Sequence, residues 1–524
     1  MVFTWAYIGL FLSVIDVQII MGYVKNFSLL LLVSVLIQTK ILGQISIPGQ
    51  TFEELDKLND TTSLALYTSI YKNQQKDFTW IDPFLKASFN SLHPRGYNDG
   101  AVWKGKGATI ETHFGFAGRV GKLSFTFFPV AYLSQNISYF RAPDVGERDE
   151  FGYQFSNQID WVQRYGNGTF INFHPGQSEI KLTLNKFEVA LSTQNYSLGP
   201  STFNPILLSR QSGGFPHLRF GLVPTSLQIG KAEIGRIEGN LIFGLLNESK
   251  YFDDDSENDN RFFTGLTLAY NPSYLPNLTL GFNKVLYKQT RYFEASDLFA
   301  TLFIVDDGID DNRTTGNDFF DQMASLTFDW RFKEVGFRAY GEFAKNDFSG
   351  GSVGFRFFAT EPEHTRAYSL GFEKEITTKN GNKISINYEH TNLSRNHAHQ
   401  WRPTPTYYTH GVNLQGYTHD GQIVGAGIGP GANSDHLSIK LVKKQLKYGL
   451  LMQRIEHNRD YFVVNISDAN LHDVEYTLSL FLQKELRKVT LFTETAFSHN
   501  YNKYYTFMFD RFNFYGSLGG RLKL

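Results

Sequence analysis

The chain has 524 residues, a formal net charge of −1 and no cysteine. The lack of cysteine excludes a disulfide framework, a thiolate zinc site and a cysteine nucleophile, and the near-zero charge supplies no basic field for nucleic acid. Aromatic residues make up 16% of the chain, with 48 Phe and 28 Tyr, yet mean hydropathy is −0.28. A transmembrane β-barrel produces that combination, because its outer wall is apolar and girdled by aromatics while its lumen and loops are polar.

Two apolar runs open the chain. The first, Val2–Tyr23, contains Asp16 and has no positive flank; a charge at mid-bilayer costs about 2.5–3.5 kcal/mol on insertion scales. The second follows Lys25 and reads FSLLLLVSVLI, Phe27–Ile37. It has the form of a secretory signal core, so residues 1–43 are expected to be a signal peptide cut after Gly43, with Met21 as the true start. A transmembrane helix or an extended signal is the alternative for the first run. Residues 44–96 are expected to form a small helical periplasmic segment. Thr51 and Glu54 have capping-box spacing, Leu55, Leu58, Leu64 and Leu66 recur at loosely helical intervals, and Pro83 and Pro94 break the pattern.

YNDGAVWKGKG, Tyr97–Gly107, then marks a transition. It is not a phosphate loop, since no Gly-Lys-Ser/Thr ending or helix follows. From Ala108 the period becomes two. Ile110, Thr112, Phe114 and Phe116 share one face, and so do Leu123, Phe125 and Phe127. Ile237, Leu241, Phe243 and Leu245 oppose Arg236, Glu238 and Asn240, while Leu326, Phe328, Trp330 and Phe332 lie together, as do Ile384, Ile386 and Tyr388. Alternation alone fits a soluble sandwich or a membrane barrel. Loop lengths favour the barrel. The turns Arg119–Gly121, Asn185-Lys186, Pro276-Asn277, Lys333-Glu334 and Lys379–Asn382 are short. Asn136–Gly166, Tyr251–Arg261, Tyr287–Asp321 and Leu393–Ala432 are long and polar. Short periplasmic turns with long extracellular loops are the outer-membrane pattern. The closing RFNFYGSLGGRLKL, with Phe512, Phe514, Leu518, Leu522 and Leu524 on one face, fits a last strand read by barrel-insertion machinery. Residues 97–524 are therefore expected to form an antiparallel outer-membrane β-barrel of sixteen to eighteen strands, about 18 by preference.

Few residues advertise chemistry. The acidic tips Tyr251–Asn260 and Val305–Asn312 lack EF-hand order and read as solvated loops. His397, His399, His410 and His419 are close in sequence, but a zinc site needs a third ligand and an open position. No HExxH or nucleophile elbow is present, so no catalytic, metal or cofactor residue is assigned. Trp401, Tyr407 and Tyr408 have rings that can stack on a sugar, or can serve as interfacial girdle residues. GYTHDGQIVG also reads as a hairpin turning at Asp420-Gly421.

Six segments in order resemble the Wzi family of capsule assembly proteins: YNDGAVWKGKG, RVGKLSFTFFPVAY, LSTQNYSLGPSTFNPILLSRQSGGFPHLRFG, GRIEGNLIFG, NPSYLPNLTLGF and YYTHGVNLQGYTHDGQIVGAGIGPGANSD. The resemblance runs from Asn98 to the C-terminus. It implies an eighteen-stranded outer-membrane barrel with a small helical bundle at its periplasmic end, acting without catalysis to attach capsular polysaccharide or exopolysaccharide. It also makes YNDGAVWKGKG the corner where the helical segment enters the first strand, with glycan contact as the alternative. Polysaccharide-binding candidates are Trp401, Tyr417, His419 and Asp420, which combine ring faces with hydroxyl partners. Expected partners are the polysaccharide, outer-membrane lipid, lipopolysaccharide and the insertion machinery; the protein is expected to be a monomer. A passive porin and a barrel enzyme acting on lipid or glycan are the competing functions.

Overall fold

The structure, a computed structural model, describes residues 47–48, 63–64, 66–68, 78–143, 149–302, 319–346, 356, 359–400 and 404–524. The expected signal peptide lies outside the described residues. So do most of residues 44–77, Trp401 and the acidic tip Val305–Asn312.

The alternating segments pair into one closed antiparallel barrel. Its strands are β1 (Phe78–Asn90), β2 (Gly107–Val120), β3 (Leu123–Phe127 and Val130–Ser134), β4 (Phe170–His174 and Glu179–Leu184), β5 (Phe187–Ser192), β6 (His217–Ile229), β7 (Ala232–Asn247), β8 (Asn260–Pro272) and β9 (Leu278–Gln289). They continue with β10 (Asp321–Phe332), β11 (Phe337–Asn346), β12 (Arg366–Thr377), β13 (Lys383–Asn392), β14 (Asn433–Lys443), β15 (Leu446–Glu456), β16 (Val474–Glu485), β17 (Val489–Tyr501) and β18 (Arg511–Leu522). Each half of β3 pairs with β2 and with one half of β4, so the twenty paired segments make eighteen strands. β1 pairs with both β2 and β18 and closes the ring.

The side-chain pattern is the inverse of a soluble protein's. On β13, Ser385, Asn387, Glu389 and Thr391 are buried, while Ile384, Ile386 and Tyr388 face outward. Leu326, Leu370, Phe512 and Leu518 are exposed, whereas Arg338, Asn387 and Glu389 are wholly buried. In a sandwich the apolar rows would face in; here they form a lipid-facing wall around a polar lumen. Buried charges are paired, as the low dielectric requires. Arg338 Nε and Nη2 lie 2.9 and 3.1 Å from the two Asp329 oxygens, and Arg331 Nη2 is 2.7 Å from Oδ2.

The barrel begins earlier than expected. β1 lies inside residues 44–96, where a helical segment was anticipated, and the short strand Leu66–Thr68 lies there too. The disguise is local. Asp82 and Pro83 interrupt the alternation, and a bulge between Ile81 and Phe84 absorbs them, leaving proline outside the ladder. YNDGAVWKGKG is therefore not the entry corner. It belongs to the loop joining β1 to β2, at the end opposite the short turns.

The core sits inside the barrel at its long-loop end. The loop between β5 and β6, residues 193–216, folds inward, and residues 404–432 pack onto it. Glu389 on β13 accepts the backbone N–H groups of Thr202 at 2.6 Å, Asn204 at 2.7 Å and Phe203 at 3.1 Å. Glu342 on β11 accepts Ile206 N–H at 3.0 Å, and Arg338 donates to Pro200 O at 2.7 Å. Ile206, Leu207, Leu208, Tyr408, Tyr417, Ile423 and Val424 bury themselves against inward residues of β7–β12. Gly425 permits that approach, since a Cβ there would lie 2.4 Å from Ile206 O. From below, Leu66–Thr68 pairs with Tyr196–Leu198, and Glu238 accepts Leu64 N–H at 2.6 Å.

Candidate functional site

Above this plug lies a cavity of about 570 Å³ walled by the long loops. The β1–β2 loop supplies His93, Arg95, Tyr97, Asp99, Trp103 and Lys104. The β3–β4 loop supplies Tyr139, Tyr153, Phe155, Trp161 and Tyr165; the β13–β14 loop, His419, Asp420 and Gln422. His457, Asp473, Lys503, Tyr504 and Tyr505 complete the far wall. Aromatic rings form its framework. Trp103 meets Tyr165 at 5.1 Å, Tyr165 stacks on Phe170 at 4.6 Å, Tyr153 meets Trp161 at 5.0 Å, and Phe155 meets Tyr505 at 5.2 Å.

YNDGAVWKGKG is built to hold this wall. Asn98 and Gly100 take left-handed φ of 54° and 62°, the turn that Asn and Gly allow most readily. Asp99 accepts Tyr97 N–H at 2.8 Å and pairs with the Lys104 ammonium. Burial opposes the Lys104 charge, but Asp99 beside it holds that ammonium well above its usual range. Asn98 N–H donates to Gln211 Oε1 at 2.7 Å, and Gly100 N–H to Arg210 O at 2.9 Å, so the stretch rests on the plug.

The sequence-derived candidates separate. His419 and Asp420 line the cavity. Asp420 (φ 49°) and Gly421 (φ 75°) form the two-residue turn between Thr418–His419 and Gln422–Ile423, as the hairpin reading anticipated. That hairpin is clamped: Asp420 N–H donates to Asn247 O at 2.9 Å, and Tyr165 hydroxyl to Asp420 O at 2.6 Å. Tyr417 is fully buried and donates its hydroxyl to Leu207 O at 2.6 Å, so it supports the plug and faces no ligand. Tyr408 is likewise buried, donating to Ile206 O at 2.7 Å. Trp401 lies outside the described residues. Among the described residues, no three His, Asp or Glu side chains gather as a metal site. In the acidic loop Tyr251–Asn260, Asp253 and Asp255 accept backbone N–H groups of Asp255 and Glu257 at 2.8 and 3.1 Å, which is turn formation.

Burial sets the charges around the cavity. It pushes His93 and His419 down to about 4 and Glu248 up to about 8, so at neutral pH all three are largely uncharged. It also pushes the Asp160 carboxyl up to about 6, against hydrogen bonds from Ser249 N–H at 2.7 Å and Ser249 hydroxyl at 2.6 Å. The folded loops thus bind this proton more tightly than the unfolded chain, and stability falls as pH rises from about 4 to about 6. His419 has the opposite slope, gaining stability from about 4 to 6.5. Because Glu248 titrates alike in both proteins, the melting-temperature difference between wild type and Asp160→Asn isolates the Asp160 contribution, and the wild type is expected to lose ground to the variant as pH rises from about 4 to about 6.

Sequence reasoning missed Phe155, Trp161 and Tyr165 as cavity residues, and reached Trp103 only through the glycan-contact alternative for YNDGAVWKGKG. The available signal was position: girdle aromatics belong at strand ends, yet Tyr139, Phe151, Tyr153, Phe155, Trp161 and Tyr165 crowd one long loop.

A closed eighteen-strand wall with apolar outside, polar inside, short turns at one end and filled long loops at the other defines an outer-membrane β-barrel. Residues 89–504 match the model of the capsule assembly protein Wzi family. The chain belongs to that family. It is similar to a solved structure described as Escherichia coli Wzi, an outer-membrane protein involved in group 1 capsule assembly and a carbohydrate-binding β-barrel. The TM-score is 0.55 at 11% identity, covering 84% of each chain. Acinetobacter baumannii OccAB4 aligns at TM-score 0.41 and 11% identity over 86% of this chain and 100% of its own. Pseudomonas aeruginosa OccK10 aligns at 0.40 and 11% over 85% and 98%. No curated protein matches the chain significantly.

Proposed function

We propose that this barrel binds capsular polysaccharide or exopolysaccharide at the cell surface through the loop-walled cavity, and helps anchor or assemble the polymer without catalysing a reaction. The observation that carries the reading is an aromatic-walled cavity on the long-loop side, directly above a filled lumen. Rings offer flat apolar faces to the C–H side of a sugar, and the polar groups between them offer hydrogen bonds to hydroxyls. Membership of a capsule assembly family supports the same reading, as does the carbohydrate binding described for the Escherichia coli structure. His419, Asp420 and Trp401 remain proposed contacts, joined by Trp103 and Tyr165. The filled lumen argues against a passive porin. Outer-membrane lipid and lipopolysaccharide meet the apolar wall, β18 presents the signal for the insertion machinery, and the barrel works as a monomer.

The test is direct titration. Purified surface polysaccharide from the same cells, added to the detergent-solubilised protein, is expected to change tryptophan fluorescence saturably. A flat response, with heat-modifiable gel migration confirming a folded barrel, contradicts the reading.

A further inference from the structure

We propose that the loop joining β17 to β18, residues 502–510, is a clamp for a carboxylated sugar: the Lys503 ammonium takes the carboxylate, and the half-buried Tyr504 ring, set in place by buried Tyr505, takes the sugar face. The inference rests on the polysaccharide reading above and specifies its ligand.

The first observation is backbone strain. Asn502, Tyr504, Tyr505 and Met508 have φ of 47°, 61°, 58° and 55°. Asn tolerates this region, but tyrosine and methionine rarely do, and strain of this kind persists only where the surroundings over-determine it. They do so here. Asp510 accepts Asn502 N–H at 3.0 Å, Asn502 Nδ2 donates to Asn470 O at 2.9 Å, and Asp473 Oδ2 accepts Tyr504 N–H at 2.7 Å. The Tyr505 hydroxyl lies 3.0 Å from Asn458 O. The consequence of this geometry is that three consecutive side chains, Lys503, Tyr504 and Tyr505, all line the cavity.

The second observation is charge matching. Lys104 is held by Asp99, Arg95 lies 3.5 Å from Glu494, and Lys250 sits 5.2 Å over the Tyr251 ring. The acids are engaged as well. Asp420 lies 3.3 Å from His419, and Glu475, the acid whose field reaches Lys503, lies 3.7 Å from His457. Among the described residues neither Lys250 nor Lys503 has a carboxylate within ion-pair distance, but Lys250 is exposed to solvent, whereas Lys503 is half-buried, with its ammonium 5.1 Å over the Tyr504 ring. A half-buried cation beside an aromatic wall, without a carboxylate where Arg95 and Lys104 each have one, fits a ligand that carries a carboxylate on a ring with one apolar face.

Carboxylated sugars reach this surface from two sources, the exported polymer and the sugars of lipopolysaccharide. The test uses the full-length protein in detergent and three purified probes from the same cells: the surface polysaccharide, the same polymer with carboxylates reduced to alcohols, and lipopolysaccharide. Wild type is expected to bind the native polymer about tenfold more tightly than the reduced one, with the advantage shrinking as salt rises. Lys503→Gln erases the difference without weakening reduced-polymer binding, and Lys503→Arg keeps it. Tyr504→Gly, which suits a φ of 61°, weakens both. If the Lys503 dependence appears with lipopolysaccharide instead, the clamp stands and that lipid is its ligand. Equal wild-type affinity for native and reduced polymer with no Lys503 dependence for lipopolysaccharide, or unchanged binding by Lys503→Gln with every probe, overturns the clamp. Wild-type binding to none of the probes overturns the polysaccharide reading beneath it.

Discussion

Replacing Glu389 with alanine should turn a barrel that passes little current into one that conducts in bursts. Glu389 is wholly buried on β13 and accepts N–H groups from Thr202, Phe203 and Asn204, together with the Tyr340 hydroxyl at 2.9 Å. Alanine leaves those donors buried without acceptors, at about 1–3 kcal/mol each. The loop still holds through Glu342 on Ile206, Arg338 on Pro200 and the hydroxyls of Tyr408 and Tyr417, so opening is expected to be intermittent. Glu389→Ala with Glu342→Ala together should open it for longer. Planar-bilayer recording reads the effect. Steady conductance in wild type would show that the plug does not seal the lumen and would revive the porin reading.

The second large effect is expected at Trp103. Its ring faces the cavity against Tyr165, and its Nε1 reaches Asn136 Oδ1 at 3.4 Å. Buried aromatic anchors at interfaces cost about 2 kcal/mol or more on truncation, so Trp103→Ala should weaken polysaccharide binding by about thirtyfold. Trp330 lies on the outward, lipid-facing side of β10, and Trp330→Ala should leave affinity unchanged. An equal loss in both variants would mean that the effect comes from general destabilisation of the barrel.

Much of the barrel could be read from residue order because lipid and lumen impose a strict period of two. Ile384, Ile386 and Tyr388 alternate with Ser385, Asn387 and Glu389 along a straight strand, and no tertiary context is needed to see it. Loop asymmetry reported direction for the same reason. β1 escaped because Asp82 and Pro83 sit at a bulge, and a pattern that slips there looks like the end of a helix. The site was harder still. Its walls come from loops whose conformation depends on what they fold against. Glu389 meets Asn204 across 185 residues of chain, and Tyr165 meets Asp420 across 255. No local period encodes such pairings. Tyr417 and Asp420 looked equivalent in sequence, yet the left-handed turn at Asp420-Gly421 sends one side chain to the cavity and leaves the other beneath the plug. YNDGAVWKGKG had the composition of a binding wall, and only its place after β1, at the long-loop end, decides between wall and entry corner.

The most direct test of the central claim is the split of surface polysaccharide between cells and medium, with the gene present, deleted, and restored as wild type or Trp103→Ala. The account predicts that deletion leaves total polymer unchanged and shifts it into the medium, that wild type returns it to the cells, and that Trp103→Ala does not. An unchanged split on deletion would contradict the claim that this barrel holds polysaccharide at the cell surface.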